Sequence, residues 1–148
     1  MDIVERIALV EQKFDAHKDW EDKYRVLIKF GKELSPMDSA NQLEKYEIKG
    51  CQSKVWLKPK LEDGKVVLFA DSDAVLVKGI IAVLLEVYSG EKPENILSQP
   101  PEFLTRIGIT EHLSLNRTNG LRSMVKQIQT YASLFQSLIS KGVTNADI

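Results

Sequence analysis

Apolar residues at Ile3, Ile7, Val10 and Phe14 recur at helical spacing, with Asp2 placed to cap the start and Glu5 in the first turn. A break at His17-Lys18 leads to Asp19 as a second cap, and Trp20, Tyr24, Leu27 and Ile28 mark one face of a second helix ending at or just after Gly31. The two read as a helical hairpin, with Trp20 and Tyr24 as packing residues. Periodicity then fails over residues 35–49, where Ser35-Pro36-Met37-Asp38-Ser39-Ala40-Asn41 is turn chemistry. A loop of that length is unusual enough to suggest function.

Alternation begins after this loop. Ser53, Val55 and Leu57 fall on one face, and Lys54, Trp56 and Lys58 on the other. Asp63-Gly64 predicts a hairpin returning through residues 65–70. Two strands need further cover, which predicts a third short strand near residues 45–48. Residues 74–88 are apolar on almost every side, so they predict a buried helix packed on the sheet, with Asp71-Ser72-Asp73 at its N-terminus. Gly79 permits a close backbone approach to the sheet, and Ser89-Gly90 stops the helix. Pro93 opens a short helix through Leu97, Pro100-Pro101 breaks it, and residues 102–107 supply a further turn or two. Residues 108–119 read as loop. Leu121, Met124, Val125, Ile128, Ala132, Phe135, Leu138 and Ile139 predict a long last helix, followed by a frayed tail from Gly142.

The expected class is α+β: a small antiparallel sheet packed against helices, as one domain over residues 1–148. The chain has 148 residues, 43% hydrophobic and 28% charged, which fits a globular fold with its own core. A net charge of -1 provides no field for nucleic acid. No apolar run is long enough to span a membrane, and the opening residues read as a helix start rather than a secretory leader, so a cytoplasmic setting is expected.

Candidate chemistry narrows to one atom. Cys51 is the only cysteine, which excludes an internal disulfide and accords with a reducing compartment. With His17 and His112 far apart in sequence, no metal-ligand spacing is present. No nucleophile elbow or phosphate loop occurs, and carboxylates such as Asp71 and Asp73 suit a helix start better than catalysis. Residues 44–60 hold five lysines against two acids, a surplus that favours thiolate at Cys51. Gly50 allows a sharp turn before it. Against this, Cys51 shares parity with Val55 and Leu57 and could point inward as an ordinary core residue. Pattern alone leaves both readings open.

The run Gly50-Cys51-Gln52-Ser53-Lys54-Val55-Trp56-Leu57 resembles the signature of the SufE family of sulfur-acceptor proteins, including its CsdE branch. Ala70-Asp71-Ser72-Asp73-Ala74 through Val83 is similar to a second family block, and His112-Leu113-Ser114 with Arg117-Thr118-Asn119-Gly120-Leu121 to a third. The resemblance implies an α+β fold shared with IscU-type scaffolds. It implies that Cys51 carries sulfur as a persulfide received from a PLP-dependent cysteine desulfurase (SufS- or CsdA-like) and passes it to a SufBCD-type complex for iron–sulfur assembly. The alternatives it leaves are a CsdE-type relay to another acceptor and a desulfurase-binding regulator in which Cys51 is structural. The pyridoxal phosphate would belong to the partner; no cofactor or metal is expected on this chain, and monomer or homodimer stays open. Asp73 matches an acidic position near the cysteine loop, although a helix-cap role suits it equally. Arg117 matches an arginine packed against that loop, while Gln52 and Ser53 shape it. Leu115-Asn116 departs from the proline and serine many relatives carry there.

Overall fold

A computed structural model describes residues 2–148. Helix α1 (Ile3–Asp15) is capped by the Asp2 carboxylate, which accepts from the Glu5 N–H, and α2 (Trp20–Glu33) by Asp19, which accepts from Glu21 N–H. Both caps satisfy amides that no intrahelical carbonyl reaches. Parallel stacking of Phe14 on Phe30, with centroids 5.8 Å apart, joins the two helices. Strands β1 (Val55–Glu62) and β2 (Lys65–Ser72) form the expected hairpin, paired from Glu62↔Lys65 to Val55↔Ser72. Asp63 and Gly64 both take positive φ, 50° and 76°, as a two-residue turn matched to strand twist requires. Helix α3 (Val75–Tyr88) is followed by α4 (Pro93–Ser98), α5 (Glu102–Arg106) and α6 (Leu115–Ser140). The largest side chains with no exposure, among them Phe14, Leu57, Ile81, Phe103 and Phe135, come from both the sheet and its covering helices and belong to one continuous cluster.

Four expectations need correction. The third strand is not at residues 45–48; it is β3 (Ala146–Asp147), in the segment expected to fray, and the sheet order is β2-β1-β3. β2 covers only one edge of β1, so N–H and C=O groups along the other edge need partners. Leu61 and Lys60 pair with Ala146 and Asp147 there, while Gly64 N–H donates to Thr144 O at 2.9 Å. Farther along the same edge, Ile48 N–H donates to Val55 O at 2.8 Å, but residues 45–48 add only a single bridge, Glu47↔Trp56.

Second, α6 begins six residues before Leu121, taking the end of the expected loop into its first turns. Ser114 caps it by accepting from Arg117 N–H at 3.3 Å, a local bond that starts a helix before its apolar stripe does. Third, Asp71-Ser72-Asp73 does not cap α3: Ala74 occupies the cap position with no side-chain bond. Asp71 and Ser72 still belong to β2. The nearly buried Asp71 carboxylate accepts from Met37 N–H at 3.1 Å and pairs with Lys78 Nζ at 3.3 Å, pinning the long loop and α3 to the sheet. Fourth, Gly79 makes its close approach to α2 rather than to the sheet. A Cβ there would lie 2.4 Å from Leu27 O, and one at Gly31 would lie 2.9 Å from Gly79 N. These paired glycines let two backbones touch and set α3 between α2 and β2.

Candidate functional site

The segment 50–54 crosses from the long loop into β1 without regular structure. Gly50 has φ +87°, a left-handed conformation that a side chain disfavours, and a Cβ there would meet Ser123 Oγ at 3.1 Å. This turn directs Cys51 toward the start of α6 instead of into the strand. Its Sγ lies 3.8 Å from Gly120 O, a long and weak S–H contact. The side chain is half-buried and packs on the edge of the core.

Beside the sulfur is a small cavity of about 50 Å³. Val77 and Ile80 from α3 and Met124 from α6 make its apolar wall; Gln52, Ser53, Asn116 and Arg117 form its polar side. Gly120 sets its depth, because a Cβ at that position would stand only 3.2 Å from Cys51 Sγ. The other end of the segment is tied by Asp73, whose Oδ1 accepts from Lys54 N–H at 3.0 Å, and by Ser72 Oγ, which donates to Lys54 O at 2.8 Å. A glycine turn at one end and a carboxylate clamp at the other thus hold a short irregular span with the thiol between them.

All six residues singled out from the sequence meet here. Gly50 makes the turn, Gln52 and Ser53 line the cavity with Cys51, Asp73 holds the strand entry, and the exposed Arg117 stands at the cavity's edge. Val77, Ile80, Asn116, Gly120 and Met124 were not legible as site residues. Gly120 becomes a signal only once α6 is seen to begin at Leu115, because a glycine inside a helix marks close approach by another group.

The electrostatic expectation is overturned. Burial pushes the Cys51 thiol up from its ordinary value, because desolvation penalises the thiolate. None of the five lysines lines the cavity, and four of them are engaged elsewhere. Lys49 pairs with Glu44, Lys60 with Glu62, Lys45 lies over the Tyr46 ring, and Lys58 donates to Asn41 Oδ1. Charge close in sequence is here not close in space. Neither histidine lines the cavity. His112 instead stacks on Trp20 with centroids 4.0 Å apart, tying the approach to α6 onto the start of α2.

Fold and site together define a class: an α+β scaffold that half-shelters one cysteine in a small cavity. The family described as "SufE: Fe-S metabolism associated domain" matches residues 8–132. An uncharacterised SufE-like protein of Synechocystis is 36% identical over 130 residues, spanning 88% of this chain and 82% of the relative. SufE-like proteins of Rhizobium meliloti and Rhizobium etli are 36% and 38% identical, spanning 77% and 78% of this chain and 85% and 82% of their own lengths. The solution structure of a hypothetical protein from Thermus thermophilus superposes with a TM-score of 0.75 at 25% identity, over 89% of this chain and 96% of that one. The chain belongs to the SufE family, associated with iron–sulfur metabolism. Among the described residues, no helix is long and apolar enough to cross a membrane.

Proposed function

We propose that Cys51 is a persulfide carrier: it takes one sulfane sulfur from a PLP-dependent cysteine desulfurase and delivers it to a SufBCD-type assembly complex in the cytoplasm. The observation that carries this reading is the cavity beside Sγ. At about 50 Å³ it exceeds the space one water needs, and a single extra sulfur atom is of similar size. The site suits holding a sulfur more than performing free-standing catalysis, since no histidine lines the cavity to act as a base.

The chemistry balances without an added oxidant or reductant. Cys51, as thiolate, attacks the outer sulfur of the donor's persulfide. A new bond forms between Cys51 Sγ and that sulfur, the donor's sulfur–sulfur bond breaks, and the donor cysteine leaves as thiolate and takes up a proton. One thiol and one persulfide thus become one persulfide and one thiol. The pyridoxal phosphate that liberates sulfur from cysteine is the partner's. A thiol whose pKa is raised reacts slowly at rest. Docking that draws the 50–54 span outward restores solvation and reactivity together, and relaxation of the span afterwards shelters the outer sulfur from reductants and oxidation.

The test is incubation with a panel of cysteine desulfurases and L-cysteine, followed by intact-mass analysis without reductant. The expected result is a gain of one sulfur at Cys51 and faster desulfurase turnover, both lost in Cys51→Ser. A Cys51→Ser protein that stimulates turnover as well as the wild type would refute the carrier role and leave a binding regulator.

A further inference from the structure

Helix α6 carries Arg117, Arg122 and Lys126 but no aspartate or glutamate, in a chain whose net charge is -1. Arg122 and Lys126 stand four positions apart on one face, where like charges destabilise a helix. Among the described residues neither joins an ion pair that would offset this. Both line a groove of about 420 Å³ between α5 and α6. Leu104, Leu121 and Val125 make its apolar floor, and neither an acidic nor an aromatic side chain lines it. From Thr118 to Gln129 it follows α6 for roughly 16 Å, and α5, at five residues or about 8 Å, is too short to cover that length. No residue lines both this groove and the cysteine cavity. At 3.6 residues per turn, its α6 positions lie roughly 150° around the helix from Asn116, Arg117, Gly120 and Met124.

We propose that this groove seats an acidic, amphipathic peptide segment of a partner protein, with carboxylates on Arg122 and Lys126 and apolar side chains on the floor between α5 and α6. The inference goes beyond the persulfide reading and does not rest on it. Charge identifies the occupant: two cations without partners stand over an apolar floor that no acid shares. Length selects a peptide over a small anion. The cations take up one turn of α6, and the groove continues past them to the uncharged Thr118 and Gln129. Three helical turns of a peptide, anchored at i, i+3 or i+4 and i+7, match that span. Nucleic acid fits poorly, since two cations give little phosphate contact and no ring is present for a base to stack on. Because the groove and the thiol lie on different faces of α6, a segment held here is a tether that leaves the mouth beside Cys51 uncovered.

The test is selection of a phage-displayed library of random peptides, each about 15 residues and so long enough for the groove, on the full chain. Enriched sequences are then titrated as labelled synthetic peptides by fluorescence anisotropy. They should carry Asp or Glu among apolar residues at helical spacing. Arg122→Glu/Lys126→Glu alters exposed positions with a residue of similar helix propensity, and should raise their Kd at least about tenfold. Arg122→Gln/Lys126→Gln, which removes charge without reversing it, should weaken binding in the same direction, and denaturation midpoints check that both variants fold. Lys32→Glu/Lys65→Glu makes the same change of net charge at exposed lysines outside the groove and should leave Kd unchanged at physiological salt. A selection that enriches no peptide weakened by the Arg122 and Lys126 variants overturns the proposal. Equal weakening by the Lys32 and Lys65 control overturns it too, by reducing the effect to net charge. Enriched peptides that are acidic but lack apolar residues would make the groove a bare anion surface and overturn the amphipathic segment. Wild-type self-association in sedimentation, abolished by the charge reversal, would make a second copy the occupant and overturn it as well.

Discussion

Gly120→Ala isolates the cavity from the rest of the fold. The added Cβ would stand 3.2 Å from Cys51 Sγ and 3.8 Å from its Cα and Cβ. The first distance is shorter than ordinary van der Waals contact, so the sulfur must give by a few tenths of an ångström. Gly120 lies inside α6 in ordinary helical conformation, where alanine is favoured over glycine by about 1 kcal/mol. Overpacking in a rigid core costs about 1–3 kcal/mol, but Cys51 sits in an irregular span that can yield outward, which places the cost at the low end. The two effects nearly cancel, and stability in urea should change by no more than about 1 kcal/mol. The thiol should change far more. The methyl occupies much of the cavity and moves Sγ toward solvent, which relieves the desolvation that raises its pKa. Thiolate at neutral pH rises as the pKa falls. Nucleophilicity falls with it, so each tenfold gain in thiolate nets roughly a threefold gain in alkylation by iodoacetamide, and the rate on this variant should exceed that of the wild type. Intact mass against time gives the rate, and denaturation midpoints show that it does not come from unfolding. A persulfide formed on this variant should also be lost faster to dithiothreitol. Unchanged or slower alkylation, with the fold intact, would show that Gly120 does not set the depth of the thiol.

Two further outcomes follow from the same geometry. Because burial favours thiol over thiolate, the pH at which Cys51 alkylation reaches half its limiting rate should lie above that of the urea-unfolded chain; equal midpoints would mean that the thiol is not desolvated. Asp73→Ala deletes the acceptor of the Lys54 N–H bond, so hydrogen exchange at Lys54 should accelerate while Asp73→Asn, which keeps a carbonyl acceptor, stays near wild type; equal protection in all three would remove Asp73 from the anchoring of the span.

The sequence by itself determined the elements whose causes are local. Asp2 and Asp19 mark the starts of α1 and α2 because a cap lies two or three residues from the amide it satisfies. Asp63-Gly64 marks the hairpin because two adjacent residues must take positive φ. The apolar stripe from Leu121 onward marks most of α6, and the single cysteine marks the one available sulfur. What surrounds that sulfur was decided by contacts distant in sequence. Gly120 lies 69 positions from Cys51, and Asp73 lies 19 from the amide it holds; no local period encodes either pairing. The tail forms β3 because an unpaired edge of β1 was there to receive it, a fact about the sheet and not about the tail. The sign of the thiol's pKa shift was likewise a tertiary result. Lysines crowded near Cys51 in sequence argue for a low value, but four of the five are engaged elsewhere and none lines the cavity, and burial raises it. Cys51 could be named from the sequence, but its resting state depends on the two helices that close over it.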